Sequence, residues 1–369
     1  MALQKNYIVK VYDQDGTSLK LSVPPNTVKA LPEFRAKTNG GFGELVLQLK
    51  YPFDNWDNTI FKANAIVDLW CFDDANQLGR RIYRGYISKW GCYVNGDDEG
   101  VEITCLGLFS LMQTSYHARL TPVTFTAQDP RAIFEAMIDS FNASWGGSLI
   151  QYTHGVSTQA VGTNVSASYT DLTWLAGCDK AIAYAPNGWY YLIDQNGLAS
   201  FKVKPSTPTH RFMMNKHITK LDAPQDAETV YNDFELRWGS VPTILTDNDA
   251  ASQATYGQGA GTPSGKRTQI VTDSTITSSG AAAQWMATAK AYGKDAKVKV
   301  NCTVNTNYDL ESIHVGDTCS IFNYLSTFSF FPSNMLIVAL TYKGDSVDLE
   351  LQQQQQDFMI ELQSYVKGV

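Results

Sequence analysis

The chain has 369 residues, 44% hydrophobic and 12% aromatic, which is enough for two or three domains with their own cores and too apolar for a disordered chain. Its net charge of −7 excludes a protein that grips nucleic acid through a basic surface, because such binding uses Lys and Arg to displace phosphate counterions. The start, MALQKNYIVKVYDQDG, lacks the apolar run of a secretory leader, and no stretch nears the roughly 20 apolar residues of a membrane span, so no stable membrane insertion is expected.

Residues 1–115 read as consecutive strands punctuated by hairpin turns. YIVKVY and TSLKLSV flank the turn Asp13-Gln14-Asp15-Gly16; GELVLQL, AIVDLWCF, RIYRGYISKWGCYV and GVEITCLG follow. Six or so strands without an intervening helix predict a closed or nearly closed antiparallel barrel. From 116 to 210 the pattern becomes that of a small α/β insert. QDPRAIFEAMIDSFN predicts a helix that Asp129 can cap, with Pro130 in the first helical position and an apolar face of Ile133, Phe134, Met137, Ile138 and Phe141. The Gly/Ser/Thr-rich residues 144–170 read as loop or weak strand. YTDLTWLAGCDKAIAYA predicts a second helix with Thr170 as its cap, and GWYYLIDQNGLASFKVK a hairpin turning at Asp194-Gln195-Asn196-Gly197.

Residues 211–239 and 296–369 predict a second barrel, with strands in ETVYNDFELRWG, AKVKVNCTVN, DTCSIFN and NMLIVALTYKGDSVDLELQ. A small insertion, 240–295, interrupts it. Its first part, 240–268, reads as a long polar loop, and SSGAAAQWMATAKAYG as a helix with Trp285, Ala289 and Tyr292 on one side. QQQQQDFMIELQSYVKGV predicts a short C-terminal helix in which Phe358, Leu362 and Tyr365 keep helical spacing. The expected fold class is mainly β with α+β inserts: two antiparallel barrels, a small α/β domain and a second small insertion.

A histidine and a cysteine come close in sequence in DLESIHVGDTCSIFN, 309–323. Ile313 and Val315 alternate with Ser312 and His314, which predicts a strand with His314 on its polar side. Gly316-Asp317 is a turn signal, and Cys319 and Ile321 share a face of the next strand. A nucleophile and its base must meet within ~3 Å. Here a turn separates them and no second histidine is near in sequence, so the stretch reads as strand, turn and strand. Asp309 and Glu311 would need metal ligands from elsewhere.

Other motifs weaken on inspection. YGQGAGTPSGKRT, 256–268, mimics a phosphate loop but has Ala260 where glycine is needed and Arg267 where Ser or Thr is, so it reads as a mobile surface loop. NGDDEG (95–100) and DDANQ (73–77) lack the spaced oxygen ligands of a calcium loop and read as acidic hairpin tips. Glu135 falls on the polar side of its helix without the second carboxylate of a glycosidase pair. His117, His154, His210 and His217 are scattered, with no HxH or HExxH pattern. The six cysteines (71, 92, 105, 178, 302, 319) form no CxxC pair. Cys302 shares an apolar face with Val298, Val300 and Val304, and Cys105 aligns with Val101 and Ile103, so buried thiols of a reducing compartment are expected. No catalytic, cofactor-binding or metal-ligating residue is assigned, and no cofactor is expected.

The order of elements is more telling. YIVKVYDQDG, FRAKTNGGFGELVLQL and RIYRGYISKWGCYVNGDDEGVEITCLGLFSLM are followed by DPRAIFEAMI, LTWLAGCDKAIAYAPNGWYYLIDQNGLASFKVKP, TVYNDFELRWG, SIHVGDTCSIFN and ALTYKGDSVDLELQ. Over essentially the whole chain this resembles phage tail-hub or baseplate-hub proteins, including contractile-phage hubs and the N-terminal hub module of siphophage tail-associated proteins. The likeness lies in strand-and-turn patterns without a catalytic signature. It implies two barrels related to tail-tube subunits, joined by the α/β insert and assembled as a homotrimer. Six similar units then match a sixfold tail tube while presenting threefold symmetry to a spike. It further implies a virion protein of the tail tip, assembled in the host cytoplasm. Its expected partners are distal tail and tube proteins, the tape-measure protein and tip spike or fibre proteins, with genome DNA only passing through. The acidic balance suits such a channel. Many such proteins continue into a hydrolase or fibre-binding extension; with the sequence ending at Val369, no built-in lytic activity and no enzyme are expected. The alternatives are a tail-tip receptor- or glycan-binding protein and, less favoured, a tail-associated cell-wall hydrolase.

Overall fold

Strands from the two ends of the chain meet in one sheet. In the computed structural model, which describes residues 5–50, 57, 59–72, 79–95, 98–114, 116–118, 121–186, 188–223, 225–226, 230–256, 266–294, 297–322 and 334–352, Phe34–Lys37 pairs antiparallel with Met335–Tyr342, with Ala36 opposite Leu340 and Phe34 opposite Tyr342. On the C-terminal side of this seam the order runs through Ser346–Gln352 and Lys297–Asn305 to Ile218–Asp222. On the N-terminal side it runs through Phe42–Leu49, Asp98–Gly107, Arg80–Asn95, Ile66–Phe72 and Asn6–Tyr12 to Leu19–Val23. His210–Met213 joins in parallel through Thr318–Phe322, which pairs with Met335–Tyr342.

One face of this sheet carries a continuous core to which both halves contribute, from Val9, Leu45, Leu69 and Ile103 to Val300, Leu340 and Leu349. Aromatic rings fill it beneath the seam: Phe34 stacks on Tyr342 at 5.1 Å and tilts against Tyr83 at 5.4 Å. Such pairs add about 0.5–1.5 kcal/mol each beyond their area. The chain is therefore mainly β and antiparallel, as expected. The strand groups read as separate barrels share one sheet and one core, and no closed barrel is traced among the described residues.

The strand assigned to the start of the second barrel belongs elsewhere. Asp233–Trp238 is the middle of a separate three-stranded sheet, between Thr243–Asn248 (antiparallel) and Thr268–Asp273 (parallel). Its inward residues Phe234 and Leu236 are buried with Trp285 and Met286, away from the main core. Residues 240–268 are thus not one loop: they hold the strand Thr243–Asn248 and a short helix, Ala250–Tyr256. Both insertions share a single core, since Ile276 bridges to Ala167 and lies in the cluster that contains Ile133, Phe134 and Phe141.

Helices form where local signals are strong. Over Pro130–Trp145, Asp129 caps the helix by accepting from Arg131 N–H at 2.9 Å, and its carboxylate also takes the N–H groups of Val161 and Gly162. Gly146 ends this helix at φ 84°, a left-handed conformation that glycine adopts without strain. The next helix, Trp174–Ala183, is capped by Thr173 and not by Thr170, because Leu172–Thr173 first pairs with Tyr116–Ala118. Ser278 caps Ser279–Gly293. The expected hairpin forms over Trp189–Ile193 and Ala199–Val203, with Asp194 accepting from Asn196 and Leu198 N–H. The predicted C-terminal helix, the 73–77 tip and the centre of the 256–268 loop lie outside the described residues. Among the described residues no helix is long and apolar enough to cross a membrane.

Candidate functional site

The His/Cys stretch is rearranged from its sequence reading. Leu310–Ser312 is a turn of 3-10 helix, not strand, and the strand begins only at Thr318. His314 is half-exposed, with Nδ1 3.5 Å from Asp317 Oδ2. A second histidine does reach this point: the parallel pairing sets His210 opposite Cys319, and His210 Nε2 lies 3.1 Å from Asp317 Oδ2. A carboxylate only accepts, so Nε2 carries a proton, and Nδ1 lies 3.0 Å from the Tyr308 hydroxyl. Burial alone would raise Asp317, but the hydrogen bonds from His210 and His314 outweigh it and hold the carboxyl at about 2. Cys319 is fully buried, and burial pushes its thiol well up, opposite to the shift that makes a thiolate nucleophile. The Tyr308–His210–Asp317 chain ties the parallel strands together.

Glu311 reaches partners far away in sequence. It accepts from Lys5 Nζ and the Tyr342 hydroxyl, both at 2.6 Å, and lies 3.7 Å from Cys71 Sγ. Tyr342 in turn meets the Tyr7 hydroxyl at 3.0 Å. Burial above all, with the Glu311 carboxylate beside it, pushes the Tyr342 hydroxyl far above its ordinary range. A cavity of about 40 Å³ beside this group, lined by Phe34, Phe42, Leu340 and Tyr342, has room for about one water and not for a ligand of ordinary size.

Glu135 is buried, not on a polar side, because the loop after its helix folds over it. Thr158 donates at 2.5 Å and the His154 ring sits 3.0 Å away. His117 pairs with Ser140 at 2.8 Å, and His217 Nδ1 accepts the Met213 N–H. Five of the six cysteines are buried; Cys92 is exposed on the outer part of Arg80–Asn95. Among the described residues no group of three His, Cys, Asp or Glu side chains could hold a metal ion. Asn95 pairs with Asp98 at the NGDDEG hairpin end.

A broad polar feature is the outward face of the C-terminal half-sheet. Two rows cross five strands, one running Lys220, Thr303, Asp348, Thr341, Arg35 and the next Asp222, Asn301, Glu350, Ala339, Lys37. Between them, the row Leu221, Cys302, Leu349, Leu340, Ala36 points into the core, as strand alternation requires. The outward rows line an open groove of about 610 Å³. Arg35 pairs with Glu350 at 2.6 Å, Lys299 with the same carboxylate at 3.0 Å, and Lys343 with Asp348 at 2.7 Å. Burial would raise Asp348, but hydrogen bonds from Lys343 and Thr303 lower it overall. In the N-terminal half the outward face is covered in part, around Ile66–Phe72 and the adjoining stretch of Arg80–Asn95, while Glu44, Val46 and Gln48 stay exposed. Ile66 and Tyr86 join the insert core, and Asp68 is fully buried between Arg81 at 2.8 Å and Arg84 at 3.3 Å. Burial pushes the Asp68 carboxyl up against the pull of both arginines.

Compared with models of known protein families and with curated sequences, the chain matches none. Solved structures match it almost end to end. The 43 kDa tail protein of prophage MuSo2 from Shewanella oneidensis gives a TM-score of 0.60 at 11% identity, covering 94% of this chain and 98% of that one. Prophage tail protein gp18 from Listeria monocytogenes EGD-e gives 0.57 at 11% identity, covering 99% of each. The fold is that of a phage tail protein. An Escherichia coli component of the type VI secretion system, itself described as structurally similar to T4 bacteriophage tail proteins, shares the tail-protein fold at a TM-score of 0.51 and 10% identity, covering 88% of this chain and 73% of that one. The tail-hub resemblance read from strand order thus holds at the level of the fold.

Proposed function

We propose that this chain is a structural tail-hub protein whose three copies form a ring at the tail tip, adapting a sixfold tube to a threefold spike or fibre while genome DNA passes through. The observation that carries this reading is the extent of the likeness, 94% and 99% of the chain aligned with two phage tail proteins. In this reading the strands of 6–107 form one tube-like unit, and 218–222 with 297–352 form the other. Three chains then supply six units around the ring. Among the described residues Leu19–Val23 and Ile218–Asp222 are the end strands of the sheet order, which supports it, because a head-to-tail contact that closes on itself makes a ring. The two insertions, sharing one core, sit off the ring. The partners are distal tail, tube, tape-measure and spike or fibre proteins, and assembly takes place in the host cytoplasm before the protein becomes part of the virion. No enzymatic role is proposed: Cys319 is buried, and both ring nitrogens of His210 are engaged by protein. Native mass spectrometry of the full chain, alone and with the cognate tube protein, tests the proposal. A mass of three chains is expected. A monomer at every concentration that also fails to join tail particles contradicts it.

A further inference from the structure

We infer that the strand Thr243–Asn248 of the insertion is a docking edge for a second copy of this chain, with Leu245 of each copy facing the other. This strand ends its three-stranded sheet, and among the described residues nothing pairs with its outer edge. Natural sheets blunt such edges with lysine, proline or bulges, because a bare edge templates another strand. Here the pairing with Asp233–Trp238 runs over all 6 residues without a bulge, and the stretch TILTDN holds neither lysine nor proline. Its charged residue, Asp247, is neutralised by Lys290 at 3.0 Å. Ile244 is 60% exposed, and Val241, just before the strand, 80%.

The register names the occupant. The Asp249 N–H bonds to the Asn232 carbonyl, so the odd-numbered residues of the strand bond to Asp233–Trp238, and Ile244 and Thr246 turn their N–H and C=O groups off the edge. Two copies that pair antiparallel through these groups set Ile244 of one opposite Thr246 of the other. Leu245 then meets Leu245, apolar on apolar, and Thr243 meets Asp247, so no like charges oppose. Centring the pair on Thr246 instead would put Leu245 opposite Asp247. Centring it on Ile244 would call on Pro242, which has no N–H to give. The edge is thus self-complementary in one register, as a two-fold contact requires. The strands assigned to the ring belong to the main sheet, so this inference does not rest on the hub reading.

Engineered cysteines in the full chain test it, on a Cys92→Ser background because Cys92 is the exposed native thiol. Facing residues of this kind have α-carbons about 4.5 Å apart, within disulfide reach. Under mild oxidation Leu245→Cys should run mainly as a covalent dimer on non-reducing gels. Thr243→Cys and Asp247→Cys chains should form a dimer when mixed and stay monomeric alone. Adding Thr246→Pro removes an N–H aimed off the edge, keeps the bonds to Asp233–Trp238, and should abolish the Leu245→Cys dimer. Thr272→Cys, exposed on the strand at the other side of Asp233–Trp238, sets the background of chance collisions. Dimer no greater than that background in both Leu245→Cys and the mixed chains overturns the second copy as occupant. A Thr243→Cys chain that couples to itself overturns the register, and a dimer that survives Thr246→Pro overturns strand pairing. Each of these failures leaves the hub reading standing.

Discussion

The outward face of one sheet meets two fates in this molecule. Over part of the N-terminal half the insert covers it, and there Asp68 is fully buried between two arginines. Over the C-terminal half Asp348 and Glu350 take outward positions of the same kind yet stay open to solvent, at 41% and 27% side-chain exposure. Alternation along a strand decides which side chains face away from the core. It does not decide what covers them. An acid with the same strand geometry is therefore costly to disturb in one half and nearly free to remove in the other.

That contrast can be broken by mutation. The largest effect is expected for Asp68→Ala, which strands the Arg81 and Arg84 charges under the insert. About 3–5 kcal/mol of stability should be lost in urea denaturation; a loss below about 1 kcal/mol would mean that this face is solvated and that the contrast is false. Asp317→Asn is intermediate. Its carboxyl is depressed to about 2 in the folded protein, so its contribution is complete above the unfolded value near 4 and disappears as pH falls through about 2. The variant should lose about 2 kcal/mol at neutral pH, and its stability should fall less steeply than the wild type's between about pH 4 and 2. Parallel acid titration curves would show that His210 and His314 do not hold this carboxylate. Asp129→Ala removes a helix cap within the insert and should cost about 1 kcal/mol, with the lowest hydrogen-exchange protection around 130–134. Smallest is Asp348→Ala, at less than about 1 kcal/mol because its partner stays hydrated. A cost matching that of Asp68→Ala would erase the distinction between the two faces.

Sequence made some of this legible and hid the rest for identifiable reasons. The start and apolar face of the helix Pro130–Trp145 were readable, since cap, first-turn proline and apolar stripe are all local, while its last turn was read as loop. Thr243–Asn248 escaped because it is an edge strand with a largely exposed, polar pattern. Asp233–Trp238 was recognised as a strand but given the wrong neighbours, because alternation carries no information about pairing. The seam between Phe34 and Tyr342 joins residues about 300 positions apart, and His210 meets Asp317 across 107. No short-range pattern marks either. Glu135 lies next to Phe134 on the flank of the apolar stripe, so its burial depended on a loop that arrives from 154–158.

The central claim is the ring of three, and density for the tail tip of intact particles, reconstructed without imposed symmetry, addresses it directly. The account predicts three copies around the axis with both insertions off the ring. A copy number not divisible by three would contradict it.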